Sequence, residues 1–262
     1  WAYRTDDSVN THAIELPVPT TADAWTNFDG ITYGKGASVL KQLPFYLGEE
    51  NFRVGVSNYL KKFSYKNTDL DDFISELGKA ANKDLDQWTQ DWLYNAGVNT
   101  IKATYQCTDG KISQFSLAQT PPEGYPTLRE QRVQIGLYNL SGNALSLTSK
   151  TPVTYKGAAT DVSAVIGKQC PDLVFPNQDD WGYVKVDLDE ASLETVKQYI
   201  NNIENTTVRL MLWQSLSDSV NDAKLAADQF VNFAIANIGG EQDYNVVRKI
   251  ASSLTSALGY LN

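Results

Sequence analysis

The spacing of apolar residues changes twice along this chain of 262 residues, and these changes limit the folds that it can adopt. From Tyr33 to Gly97, apolar residues recur every three or four positions, which is typical of amphipathic helices. From Thr100 to Val186 they alternate in short runs separated by turn residues such as Asp109-Gly110, which is typical of β-strands. Helical spacing returns at Ser192. The sequence therefore predicts a helical block, a small β-sandwich and a second helical block.

The first predicted helix contains a proline that should interrupt it. Pro44 has no backbone donor, and its ring would clash with the carbonyl of Leu40, so we expect a kink or an end near Gln42. Gly48 then fits a C-terminal stop.

Other local signals predict where elements begin. Residues 1–26 are polar and contain two prolines, which predicts an extended connection. Thr68 with Asp71 should cap one helix, and Ser192 is a candidate cap for another. A short strand is expected at 162–166. We also expect exposed apolar surface at the C-terminal end, because few helices there share a core.

Charge and composition exclude several classes of protein. A net charge of -9 and a pI near 4.7 argue against nucleic-acid binding, because no basic cluster could neutralise phosphates. No apolar run approaches the ~20 residues of a membrane span. The chain opens at Trp1 without a Met or an apolar leader, which is typical of a fragment or a processed chain.

The few cysteines and histidines limit the possible metal chemistry. Cys107 and Cys170 are either two buried thiols or one disulfide joining two strands, and the residues leave both open. His12 is the single histidine, so the chain cannot contain an H-E-x-x-H zinc site, and we interpret it as a loop residue. Asn177 with Asp179 and Asp180 fits the calcium loop pattern poorly and is better explained as a polar turn.

The segment Phe28–Leu43 reads FDGITYGKGASVLKQL and places a tyrosine between an acidic turn and a helix. Two glycines beside this tyrosine indicate close approach of another segment. The phrase F-D-x-I-T-Y-x-K-G-A-x-V-L resembles the aminopeptidase N family of zinc metallopeptidases. The resemblance continues in G-E-E-N-F, Y-L-K-K-F-x-Y-x-N-T and D-L-D-Q-W-T-Q-D-W-L, and later in L-V-F-P-N-x-D-D-x-G-Y-V-K-V.

This resemblance implies a multidomain α+β protein. Residues 1–98 would form the helical half of a thermolysin-like catalytic domain, 99–188 a β-sandwich, and 189–262 the start of a truncated α-helical domain. The family's zinc ligands, general base and G-x-M-E-N motif all precede the matched segments. The chain would then be a C-terminal portion that is inactive alone and holds no zinc, although the parent enzyme would hold zinc and cleave peptides. Its partners would be peptide substrates and the missing N-terminal half of the catalytic domain.

The resemblance also gives one residue a chemical role. In the family, the tyrosine of this phrase faces the peptide carbonyl that is attacked, and here that residue is Tyr33. A hydroxyl donor aimed at a developing oxyanion stabilises the transition state. Lys35 is expected to be a surface or ion-paired lysine, and Gly36 a close-packing glycine.

Two other functions fit the same residues. The chain could be a catalytically dead scaffold or peptide-binding relative, although Tyr33 would then have no use. It could also be a free-standing interaction module, although the helical block before Thr100 resembles part of a larger domain. Cytoplasmic and exported locations both remain open, with export favoured only if Cys107 and Cys170 are bonded.

Overall fold

The computed structural model describes residues 1–261 and begins with a helical block. Its elements are α1 (Ala2–Asp6), α2 (Thr21–Thr26), a π-helical turn (Ile31–Lys35), α3 (Gly36–Leu47), α4 (Glu49–Lys62), α5 (Leu70–Ala81) and α6 (Asp86–Leu93). Buried side chains of α3, α5 and α6 form one apolar cluster centred on Leu43, Leu77 and Trp92. This block therefore has a core of its own, as its helical spacing predicts.

Two predictions for the first 50 residues are wrong. The opening segment is not simply extended, because it contains α1 and α2, and Thr20 caps α2 through its hydroxyl. Helix α3 also continues through Pro44 to Leu47, so the helix end expected near Gln42 is wrong. Burial of Leu43 and Leu47 on either side of the proline favours the helix and offsets the lost backbone bond. The helix ends at Gly48, as predicted, where φ is +90°.

Two predicted helix caps are displaced by short distances. Asp69, not Thr68, caps α5, and it does so in a reciprocal pair with Asp72. Asp189 caps the later helix α7 (Glu190–Tyr199), while Ser192 donates the backbone and hydroxyl hydrogen bonds that Asp189 accepts. In both cases an aspartate carboxylate accepts from the free donors of the first turn.

The middle of the chain forms two small sheets. The strands are β1 (Thr100–Thr108), β2 (Lys111–Thr120), β3 (Gln131–Ser141), β4 (Ala144–Tyr155), β5 (Ala159–Asp161), β6 (Leu173–Phe175) and β7 (Lys185–Asp187). The first sheet has the order β5-β2-β1-β7 and the second β4-β3-β6; only the β1–β7 pair is parallel among the ladders of residues 1–261. The strand expected at 162–166 is wrong, because Ser163–Val165 forms a 3-10 turn after the short strand β5.

Helices complete the chain and share a core with the sheets. They are α7, α8 (Thr206–Asn221), α9 (Ala227–Ile238) and α10 (Tyr244–Leu258). One apolar cluster includes Ile101 of β1, Leu137 of β3 and Trp213 of α8. The expected exposed apolar side chains are present at this end, among them Ile235 and Leu258. None of the helices formed by residues 1–261 has both the length and the apolar character that a membrane crossing requires.

A disulfide joins the two cysteines, which settles the alternative that the sequence left open. Cys107 lies on β1 and Cys170 lies just before β6, and their Cα atoms are 5.9 Å apart. The bond closes a loop across a sequence separation of 63 residues. It therefore connects the end of one sheet to the segment that enters the other.

Removing this bond should destabilise the protein. Cross-linking across a separation of this size lowers the entropy of the unfolded chain, so we expect the Cys107→Ser/Cys170→Ser variant to lose about 2–4 kcal/mol of unfolding free energy. Urea denaturation followed by circular dichroism measures this difference. Adding a reductant to the native protein should give the same loss of stability and leave the variant unchanged. Equal stability of the two proteins without reductant would contradict the prediction.

A buried acid on α8 gives a pH-dependent stability. Burial raises the pKa of the Asp218 carboxyl to about 6, although Lys185 and Gln214 oppose this change. Between about pH 4 and pH 6 the native state binds this proton and the unfolded state does not, so the contribution of Asp218 to stability falls as pH rises. Asp218→Asn should therefore be more stable than the native protein at pH 8, by up to about 3 kcal/mol. Thermal unfolding at pH 4, 6 and 8 checks this, and an advantage independent of pH would refute it.

Candidate active site

The π-helical turn Ile31–Lys35 carries the candidate catalytic tyrosine and leads directly into α3. The Asp29 carboxylate precedes it, and its Oδ1 accepts hydrogen bonds of 2.9 Å from the backbone N–H groups of Ile31 and Thr32. The backbone N–H of Tyr33 donates to the carbonyl oxygen of Asp29 at 3.1 Å. These bonds satisfy donors that the start of a helix otherwise leaves free.

Tyr33 projects away from the core. Its side chain is 56% exposed, and its ring centroid lies 4.8 Å from that of Phe28, which is itself exposed. The phenol is therefore accessible to a group that approaches this side of the turn. With one aromatic neighbour and little burial, the direction of the side chain depends mainly on the backbone that carries it.

His12 contacts the aspartate that begins the turn. Its Nε2 lies 2.8 Å from Oδ2 of Asp29, and its Nδ1 lies 2.6 Å from the carbonyl oxygen of Ala13. Burial alone would raise the pKa of Asp29, but hydrogen bonds from the backbone of Thr32 and from His12 outweigh it, so the pKa lies below its usual range. Asp29 is therefore held as a carboxylate, the form that accepts hydrogen bonds from both sides.

A glycine allows another segment to approach the turn. A Cβ atom added to Gly34 would lie 3.0 Å from the Cβ of Ala2, which is tighter than ordinary contact. This confirms that a glycine beside Tyr33 permits close packing. The assignment of that role to Gly36 is wrong, because its added Cβ would meet only Ile14, at 3.7 Å.

Lys35, two residues after the tyrosine, is completely buried in an ion pair. Its Nζ lies 3.0 Å from Oδ2 of Asp6 and donates to the carbonyl oxygen of Gly97 at 3.1 Å. Burial lowers the pKa of Lys35, although the Asp6 carboxylate opposes this change. Of the two roles expected for this lysine, the structure therefore selects the ion-paired one. The Asp6 carboxylate also accepts from the Tyr183 hydroxyl at 3.1 Å.

Comparisons with known proteins show which family the chain resembles. Residues 2–92 match the model of the peptidase family M1 domain, and residues 173–262 match that of the ERAP1-like C-terminal domain. Aminopeptidase N of Streptomyces lividans is 37% identical over 266 residues, which covers 98% of this chain and 31% of the relative. The chain is thus similar to M1 aminopeptidases along nearly its whole length.

Other relatives match in the same way. Leucyl aminopeptidase of Saccharolobus solfataricus is 32% identical over 197 residues, covering 75% of this chain and 22% of the relative. Tricorn protease-interacting factor F2 of Thermoplasma volcanium is 29% identical over 260 residues, covering 97% of this chain and 30% of the relative. The chain thus spans about a third or less of the length of these curated relatives.

The single histidine and the acidic pair before β7 have partners within the chain. His12 is bonded to Asp29. Asp179 is paired with Lys150, and Asp180 with a lysine of α3. Among residues 1–261, no group of three or more His, Cys, Asp or Glu side chains could hold a metal ion.

Sequence patterns missed residues that hold the turn in place. Asp6 lies in the polar opening segment, and Arg129 in a loop between β2 and β3, so neither belongs to a recognisable motif. The Arg129 guanidinium is buried and donates to the carbonyl oxygens of Asp91, Asn95 and Ala96 at 2.9 Å. Both side chains are charged and buried, which is rare unless they are paired, but burial cannot be read from the sequence.

The Lys35–Asp6 pair should be far more important for stability than its neighbours at the surface. Lys35→Met leaves the Asp6 carboxylate buried without a countercharge, so we expect a loss of about 3–5 kcal/mol of unfolding free energy. Lys41→Met, in the helix α3 that follows the turn, breaks a half-exposed pair with Asp180 and should cost at most about 1 kcal/mol.

Urea denaturation of both variants measures this contrast. The double variant Lys35→Met/Asp6→Asn should recover part of the loss, because neither member of the pair is then a buried charge without its partner. Equal losses for the two lysine variants would show that burial of the first pair has no special cost.

Proposed function

We propose that this chain is the C-terminal portion of a zinc-dependent aminopeptidase that removes N-terminal residues from peptides. The match of residues 2–92 to the M1 peptidase domain and the 37% identity to an aminopeptidase N over nearly the whole chain support the peptidase class. The single observation that carries the chemistry is Tyr33, an accessible phenol on a turn whose neighbour Lys35 is anchored in the core. Such a placement suits a donor that acts on a group outside this chain.

In this proposal Tyr33 stabilises the transition state of peptide hydrolysis. Attack on the scissile carbonyl places negative charge on its oxygen. A phenol is a neutral donor whose hydrogen bond becomes stronger as that charge develops. The donor contributes most when its position is fixed before the reaction, because no reorganisation is then required.

The residues of this chain do not supply zinc ligands or a general base of the H-E-x-x-H type. In the proposal these groups belong to the part of the parent enzyme that precedes Trp1 in sequence. Residues 1–98 would pack against that part, 99–188 would form the sandwich, and 189–262 would begin the helical C-terminal domain. The isolated chain should accordingly hydrolyse nothing.

The bonded cysteines also support a location for the parent protein. A structural disulfide persists in oxidising compartments and is rare in the cytosol of mesophiles. The sequence left the location open and favoured export only if the two cysteines were bonded. Because Cys107 and Cys170 are bonded, we favour export of the parent protein.

Replacement of Tyr33 tests the catalytic role. In the parent enzyme, Tyr33→Phe should lower kcat roughly 10²–10³-fold with little change in KM, because one oxyanion donor is lost while ground-state contacts remain. Hydrolysis of an aminoacyl p-nitroanilide measures both constants. Tyr94→Phe, also an exposed tyrosine of this block, serves as the control and should have normal activity.

Three results would count against the proposal. Unchanged kcat in Tyr33→Phe would remove the catalytic role of the hydroxyl. A parent protein that binds peptides but hydrolyses none would favour the scaffold alternative. Zinc-dependent hydrolysis by the isolated 262-residue chain would contradict its assignment as an inactive portion.

A further inference from the structure

The turn that carries Tyr33 is held at its N-terminal end by one carboxylate. Asp29 bonds the backbone N–H groups of Ile31 and Thr32 through one oxygen, and its carbonyl accepts from the N–H of Tyr33. These hydrogen bonds restrain the backbone conformation of Thr32 and Tyr33. The direction in which the phenol projects is therefore coupled to the position of the Asp29 carboxylate.

The other oxygen of this carboxylate is fixed from outside the turn. His12 lies 17 positions earlier, and its Nε2 is 2.8 Å from Oδ2 of Asp29. The same ring is held through Nδ1 by the carbonyl oxygen of Ala13. Since both ring nitrogens face oxygen acceptors, both contacts are hydrogen bonds only when the imidazole carries two protons. The half-buried His12 thus ties the turn to the preceding segment.

Apolar packing also holds the turn. Ile31 is completely buried, and a Cβ atom added to Gly30 would lie 3.2 Å from the Trp1 ring. The buried Lys35–Asp6 pair anchors the C-terminal end of the turn. The ring of Tyr33 itself contacts Phe28, and both rings are more than half exposed. At the N-terminal end, Asp29 and His12 add the directional hydrogen bonds that apolar packing does not supply.

We propose that Asp29 and His12 are positioning residues for the Tyr33 hydroxyl. This inference rests on the proposed function of Tyr33. Neither side chain touches the substrate; Asp29 fixes the backbone of the turn, and His12 fixes Asp29. Loss of either contact should reduce the rate of the chemical step rather than substrate binding, because displacement of a catalytic group by about 1 Å can cost up to 10²-fold in rate.

The first test measures kinetics of the parent enzyme. Asp29→Ala should lower kcat roughly 10–100-fold with KM nearly unchanged, and His12→Ala should lower it by a smaller factor. Asp29→Asn keeps an oxygen acceptor for the two backbone donors, and His12→Gln keeps a donor for Asp29, so each conservative variant should restore much of the rate. In the Tyr33→Phe background, Asp29→Ala should cause little further loss, because the group that it positions is absent.

The second test examines the turn without reference to activity. In the 262-residue chain, hydrogen exchange at the amides of Ile31 and Thr32 should be faster in Asp29→Ala than in the native protein, and close to native in Asp29→Asn. Asp69→Ala is the matched control, because Asp69 caps α5 in the same manner. It should speed exchange in the first turn of α5 and leave both the Tyr33 turn and kcat unchanged.

The outcomes separate the two proposals. If Tyr33→Phe is fully active, the proposed function fails and the positioning role fails with it. If Tyr33→Phe is impaired but Asp29→Ala is fully active, the catalytic tyrosine stands and the positioning role is refuted. A kcat loss in Asp29→Ala that adds fully to that of Tyr33→Phe, or native exchange at Ile31 and Thr32 in Asp29→Ala, also refutes it.

Discussion

The buried pair of Lys35 and Asp6 determines how the parts of this chain fit together. Two charges removed from water are tolerated only when their remaining donors and acceptors find partners. Here the backbone N–H of Gly97 and the hydroxyls of Thr11 and Tyr183 donate to Asp6, while Lys35 donates to the carbonyl of Gly97. The opening helix, the π-helical turn, the end of the helical block and the segment before β7 must therefore be in place together.

A second buried cation strengthens the same junction. Arg129 enters from the loop between two strands and bonds carbonyl oxygens at the end of α6, while its guanidinium lies 5.3 Å from the ring centroid of Trp92. These carbonyls belong to the C-terminal end of a helix, where free acceptors and the helix dipole favour a positive charge. The boundary between helical and strand spacing is thus fastened by charged groups, which require partners in particular positions, rather than by apolar contact alone.

Local chemistry explains which parts of the fold could be predicted from the sequence. Helices and strands follow apolar spacing, and Gly48 ends α3 because glycine accepts a positive φ. Helix α3 passes through Pro44, and Asp69 replaces the predicted cap, because tertiary burial and a better acceptor one residue away decided these details. The partners of Lys35 could not be predicted, since Asp6 and Gly97 are distant in sequence and carry no pattern of their own. The role proposed for Tyr33 rests on the resemblance of a whole phrase, because a single tyrosine has no sequence property that would indicate it.

The position of Tyr33 follows from the geometry of a short helical turn. Residues two apart in a helical turn of this kind are separated by close to half a turn, so they project from roughly opposite sides. Lys35 occupies the inner side and is completely buried, and this places Tyr33 on the outer side, where it is 56% exposed. A buried anchor and an exposed hydroxyl can therefore be supplied by one turn without a separate supporting element. The anchor acts at the C-terminal end of the turn, whereas Asp29 accepts the backbone hydrogen bonds of Ile31, Thr32 and Tyr33 at the other end.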